Sequence, residues 1–177
     1  KHVFSSFFVC GNATRCIEEM CLTKPDSISV DENVDIIAAK AISDRYNVAI
    51  GGNIPLTSVM LHGTQQDNMK YVVDLLAQLP AYKNFIVAPG CDMPYAVPVE
   101  NAIGAAQAVL HTAETAEMVK NYTAASFDAD VALPDYAHLK KPLLEVFTLD
   151  SATCAACTYM MGAASAAKQT FGDAIDM

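Results

Sequence analysis

The sequence predicts an α/β fold built on parallel strands, and three observations predict it. Short apolar runs of strand length alternate with longer stretches of helical period through the first two thirds of the chain. Hydrophobic residues make up 53% of the 177 positions and charged residues only 18%, so a sizeable core can be buried. Two of the apolar runs end in a Gly-containing turn with a thiol at its tip, Ser5-Ser6-Phe7-Phe8-Val9-Cys10-Gly11-Asn12 and Phe85-Ile86-Val87-Ala88-Pro89-Gly90-Cys91-Asp92. Chemistry collects at the carboxyl ends of parallel strands, and thiolate is a natural ligand for zinc.

The elements follow in order. Val3–Val9 reads as a strand, followed by a helix near Asn12–Leu22 with Asn12 as its N-cap. Asp26–Val30 is the second strand, and Val34–Tyr46 the next helix, with Ile36, Ile37, Ala41 and Ile42 apolar. Asn47–Ile50 is the third strand, closed by Gly51-Gly52-Asn53. Helix is expected over Pro55–His62 and again over Thr64–Leu79, where Val72, Val73, Leu75, Leu76 and Leu79 are apolar. Phe85–Ala88 is the fourth strand, and Val99–Lys120 a long Ala-rich helix after Pro98. Such alternation implies right-handed crossovers between parallel strands. Four units are half of an eight-stranded barrel, and an open doubly wound sheet fits the same pattern. Residues 121–141 break it and read as a linker; Pro142–Leu149 is a further strand, and Thr158–Phe171 a helix rich in Ala and Met.

Bulk properties exclude several classes. A net charge of −9 argues against nucleic acid, which needs clustered Lys and Arg. No apolar stretch reaches the roughly 18 residues of a membrane span, and no secretory pattern opens the chain. Six cysteines without such a signal fit a reducing cytoplasm, where thiols serve as ligands or catalysts. Because the chain starts without Met, almost inside a strand, we expect a piece of a longer protein.

If the strands hold, their ends present Cys10, Asp31, Asn53 and Cys91 to one rim. Each has a plainer explanation. A Cys after a strand is often a small buried hydrophobe, an acid such as Asp31 suits the start of a helix, and Asn53 is a common turn residue. Their coincidence on one rim is what raises the functional reading.

These residues also match a family. Cys10-Gly11-Asn12, Ser29-Val30-Asp31, Gly52-Asn53-Ile54-Pro55, Ala88-Pro89-Gly90-Cys91-Asp92-Met93-Pro94 and Pro98-Val99-Glu100-Asn101 stand in the order seen in uroporphyrinogen decarboxylase relatives. The chain most resembles the corrinoid-protein methyltransferases of that family, the cobalamin:coenzyme M type, over residues 1 to about 120. The resemblance implies the C-terminal half of a (β/α)8 TIM barrel. It implies zinc held by Cys10 and Cys91, with Asp31 and Asn53 shaping the site, and a methylcobamide carried by a partner corrinoid protein as methyl donor to a small thiol. In that family a His-x-Cys pair supplies a further zinc ligand; Phe8 stands at the His position here, and a phenyl ring binds no metal. A third ligand would come from Asp31 or from the missing part of the barrel, or would be lacking altogether. A porphyrinogen decarboxylase, which uses no metal, is the alternative within the same family.

The second motif is Cys154-Ala155-Ala156-Cys157, with a strand expected before it and a helix after it. Strand, turn and Cys-x-x-Cys opening a helix is the redox arrangement of thioredoxin-like domains, because a helix N-terminus favours the first thiolate. Residues 142–177 are therefore expected to begin an incomplete thioredoxin-like segment, with Cys154 and Cys157 as a redox pair. A metal-free redox or binding module acting through that pair is the reading from a different class. Cys16 and Cys21 have no metal-ligand spacing, His62 and His111 are expected to be solvated, and His138 falls in the linker. Half a barrel exposes two sheet edges, so self-association or a completing partner chain is expected.

Overall fold

The computed structural model describes residues 3–124, 132–148 and 155–177. Two compact units divide the chain, Lys1–Ala124 and Ala125–Met177.

The first unit is a four-stranded parallel sheet in the order β1-β2-β3-β4, with β1 at Ser6–Val9, β2 at Ser27–Val30, β3 at Ala49–Ile54 and β4 at Phe85–Pro89. Helices follow each strand: α1 (Ile17–Leu22), α2 (Ile36–Arg45), α3 (Gln65–Gln78), α4 (Val99–Leu110) and α5 (Thr112–Val119). This is the strand–helix alternation expected, and it fits part of a TIM-barrel-like fold.

Register explains how the two sheet faces differ. Register partners in a parallel sheet point to the same side. Phe7, Ile28, Ile50 and Phe85 form one such row, and Ile28, Val30 and Ile50 on that side are buried in the core with Ile17, Ile36, Ala39 and Leu75. Phe8, Ser29, Gly51 and Ile86 form the opposite row, which is dominated by small residues at its centre. A Cβ on Gly51 would lie 2.8 Å from Ser29 Oγ and 3.6 Å from Ile86 Cβ, so a larger side chain there would have to displace the Ser29 hydroxyl. A second core joins β3 to the later helices through Ile54, Met60, Met69, Val72, Leu76, Ala105, Ala108 and Val119.

Several elements are shorter than the apolar pattern suggests. The helix after β1 opens with a 3-10 turn, Thr14–Cys16, before α1, and Asn12 Oδ1 accepts from Thr14 N at 3.2 Å. The Pro55–His62 stretch is a π-helical turn, Leu56–Leu61. The long helix expected over Val99–Lys120 is broken at His111, whose φ of −131° and ψ of 48° are not helical. Thr64 caps α3 through a reciprocal capping box: its hydroxyl accepts from Asp67 N while the Asp67 carboxylate accepts from Thr64 N, and Tyr122 Oη donates to the same carboxylate. Burial pushes the Asp67 carboxyl up, but the hydrogen bonds from Thr64 and Tyr122 outweigh it and hold the group below the usual carboxylate range.

The second unit contains a 3-10 turn at Tyr136–His138, helix α6 at Ala155–Phe171 and a further 3-10 turn at Gly172–Ala174. The strand expected over Pro142–Leu149 is corrected: its described residues make only one parallel bridge, Leu143 with Asp176. A strand needs a ladder, and a single pair of hydrogen bonds, Leu144 N to Asp176 O and Asp176 N to Pro142 O, does not extend into one. Lys168 Nζ donates to Gly172 O and Ile175 O, tying the turn after α6 back to the helix. Among the described residues no helix is long and apolar enough to cross a membrane.

Candidate functional site

The residues singled out in the sequence converge on the carboxyl rim of the sheet. Cys10 follows β1 and Cys91 follows β4, the two outer strands. Adjacent strands lie about 4.8 Å apart, so a flat sheet would hold these ends about 14 Å from one another. Their Cα atoms are 6.1 Å apart, and the two cysteines are joined by a disulfide across 81 positions of sequence. The chain after each outer strand therefore leans inward over the two central ones. Cys10 is exposed and Cys91 half-buried.

Between them lies the loop after β2. The buried Asp31 carboxylate accepts from the backbone N–H of Asn33 at 2.8 Å, from the Asn33 side-chain amide, and from the Gly11 backbone N–H. Burial pushes this carboxyl up, and those three donors more than offset it, so Asp31 is held below its ordinary range. On the other side, a Cβ on Gly90 would lie 2.8 Å from Glu32 N. The loop that carries Cys91 is thus seated directly on the β2–α2 loop, and only glycine permits that approach.

Asn53 serves this rim from below. It is buried, and its Nδ2 donates to Asp31 O at 3.0 Å and Val34 O at 2.7 Å, so it pins the β2–α2 loop. The preceding peptide, Gly52–Asn53, is cis. Asn101 and Asn68 repeat the device at the next loop. Asn101 Nδ2 donates to Met60 O and Gly63 O at 2.7 and 2.8 Å, and Asn68 Nδ2 to Val59 O and Thr64 O at 2.8 and 2.9 Å. Each buried amide donates to two backbone carbonyls and so ties two points of a loop together. Asn101 is the last residue of the Pro-x-Glu-Asn segment, and its contacts assign that segment an architectural task.

Two residues that the sequence did not single out for chemistry stand close to this loop. Glu32 accepts from Leu56 N, and Tyr71 on α3 donates to Asn53 O at 3.4 Å. With Val34, Asn53 and Leu75 they line a groove of 380 Å³ between α2 and α3. Burial, followed by the negative charge of Glu32, raises the Tyr71 hydroxyl above its usual range. Tyr71 sits amid a helical apolar stripe, where nothing in the local pattern separates it from a core residue.

As a metal centre the donor set is half complete. Two thiols this close suit two corners of a tetrahedral zinc ion, but a catalytic zinc ordinarily has three protein ligands. Among the described residues no group of three or more His, Cys, Asp and Glu is placed to hold a metal ion. Phe8 lies on β1 two residues before Cys10 and offers no donor. The sulfurs, being bonded to each other, ligate nothing until they are reduced.

The remaining candidates lie elsewhere. Cys21 is buried in the first core and Cys16 is exposed. His62, His111 and His138 are exposed. Cys154 lies outside the described residues, and Cys157 is buried near the start of α6.

Comparison with curated proteins finds no match. The sequence model of the uroporphyrinogen decarboxylase (URO-D) family matches residues 1–112, which span all four strands, both rim cysteines, Asp31 and Asn53. The chain therefore belongs to the uroporphyrinogen decarboxylase family.

Proposed function

We propose that this chain is a methyl-transfer member of its family, taking a methyl group from a corrinoid protein to a small thiol. The observation that carries this reading is the meeting of Cys10 and Cys91, from the first and last strands of the sheet, at one rim beside Asp31. A porphyrinogen decarboxylase has no need of a thiol pair there. In the reduced protein Cys10 and Cys91 would hold zinc, which when bound lowers the pKa of a thiol and delivers it as the nucleophilic thiolate. A third donor would come from outside the described residues.

The chain's own residues divide the remaining work. Asp31, held ionised by Gly11 and Asn33, keeps a fixed negative charge beside the Cys10 turn. Asn53 orients the loop bearing Asp31 through two carbonyls. Gly90 lets the Cys91 turn sit against Glu32. The open edges of β1 and β4, with Phe7, Phe8 and Ile86 exposed, are where a completing chain or a second copy would pair.

The lyase reading fits the family match equally, and the phenyl ring of Phe8 favours it, because it removes a metal ligand. One experiment separates the two. Zinc is measured by elemental analysis on the dithiol-reduced protein and on Cys10→Ser and Cys91→Ser, alongside methylation of coenzyme M from methylcobalamin. About one zinc per chain, lost in both variants, with thiol methylation in the wild type, is the expected result. A folded, reduced wild type with neither zinc nor methylation overturns the methyltransferase reading. Porphyrinogen decarboxylation that survives Cys91→Ser would then establish the lyase.

A further inference from the structure

We infer that Cys10 and Cys91 are a reversible thiol–disulfide couple that switches the rim between a closed, cross-linked state and an open state with two available thiols. The argument rests on position. A cross-link between neighbouring strands would change little, because ladder hydrogen bonds already hold them. This one joins the two outer strands, which share no hydrogen bond and are separated by β2 and β3. The Cα separation of 6.1 Å lies within the range a disulfide spans without backbone movement. Cys10 is exposed, so an attacking sulfur has access to it, whereas a structural disulfide is typically shielded.

Gly11 and Gly90 sit beside the two cysteines. Gly11 has a φ of +83° with open space around it, while Gly90 is wedged against Glu32. Both turns are also tied to the β2–α2 loop, the Cys10 turn through the Gly11 N–H on the Asp31 carboxylate and the Cys91 turn through Gly90 against Glu32, so the two thiols stay near each other after reduction.

The step balances with a low-molecular-weight disulfide as oxidant. The Cys10 thiolate attacks one sulfur of the oxidant, forming a mixed disulfide and releasing one small thiolate. The Cys91 thiolate then attacks Cys10 Sγ and releases the second. Cys10 and Cys91 together lose two electrons, the small disulfide gains them, and the two thiol protons end on the two released small thiols. The couple itself does not depend on the proposed function. Its consequence does rest on that reading: a disulfide sulfur is no zinc ligand, so oxidation would empty the site.

The test uses the full chain carrying Cys154→Ser and Cys157→Ser, so that only the rim pair and Cys16 and Cys21 remain. The protein is equilibrated with oxidised glutathione, acid-quenched, denatured and alkylated, and the peptides are mapped. We expect a peptide linked through Cys10 and Cys91, two fewer alkylated thiols than in the reduced sample, and full reversal when the native protein is treated with a dithiol. Cys10→Ser and Cys91→Ser should each abolish the link, with circular dichroism reporting that each is folded. Quantitative alkylation of both cysteines after oxidation of the folded protein overturns the couple. So does a link that a dithiol cannot open in the native state, which would make it a permanent staple. Zinc uptake by the reduced protein is read separately. A reversible link without zinc uptake keeps the switch and removes the metal reading, whereas zinc uptake without a link does the reverse.

Discussion

The four strands end on one rim, yet their ends are held by two different chemistries. The loops after β2 and β3, the central strands, are tied down by buried asparagine amides: Asn53 on Asp31 O and Val34 O, Asn101 and Asn68 on the carbonyls between Val59 and Thr64. The ends after β1 and β4, the outer strands, meet through Cys10 and Cys91. An amide buried in a dry loop is indifferent to redox conditions, and its donors stay paired as long as the loop is folded. A disulfide answers to the thiol poise around it. The centre of the rim is thus a permanent frame and its two flanks are conditional, which is the arrangement a gated site requires.

The largest effect should come from the flanks. In the chain-entropy picture, a cross-link closing a loop of 81 intervals contributes about 4.5 kcal/mol. In the Cys154→Ser, Cys157→Ser background, urea denaturation with and without a dithiol should therefore show a chain with the wild-type rim that loses most of that amount on reduction, and a Cys91→Ser variant that does not respond to the dithiol. An unchanged wild-type midpoint would erase the contrast between flank and centre.

The centre should respond to mutation and ignore redox conditions. Asn101→Ala leaves Met60 O and Gly63 O without their donor, at a cost of about 2–3 kcal/mol. That loss should be the same in oxidised and reduced protein, because the two sites share no partner. A loss that grew on reduction would show that the frame depends on the flanks.

The smallest effect sharpens the pH behaviour of the frame. The folded-state pKa of Asp67 lies below its unfolded value, so its contribution is present above the unfolded pKa of about 4 and fades as pH falls through the folded value. Asp67→Asn should lower stability by about 1 kcal/mol at pH 7, with the difference from wild type shrinking below pH 4. Denaturation midpoints taken between pH 2 and pH 7 would show it; a constant difference across that range would assign the loss to packing instead.

Much of this was legible in the chain. The period of the apolar residues marked each of the four strands and the helices between them. The thiols after the first and fourth runs marked the rim. What escaped was whatever depended on packing rather than on neighbours in sequence. Tyr71 looks like any apolar helix residue until Asn53 O is found within reach of its hydroxyl. Pro142–Leu149 has the apolar content of a strand, but strand identity belongs to a pair of segments, and only Leu143 found a partner among the described residues. The helix expected to run unbroken through His111 bends there, with Ala108 before the break and Val119 after it both in the second core.

By itself the sequence determined that this is a parallel α/β chain of the uroporphyrinogen decarboxylase family, and that its first and fourth strands each end in a cysteine. Alternation and local turn chemistry act between near neighbours, and so they can be read in one dimension. The tertiary structure alone decided that two thiols 81 positions apart, on strands that never pair, come within bonding reach above Asp31. That depends on how far the outer ends lean inward, which small residues such as Ser29 and Gly51 permit and glycine at position 90 completes. Curvature is a property of the whole sheet, and no single segment carries it.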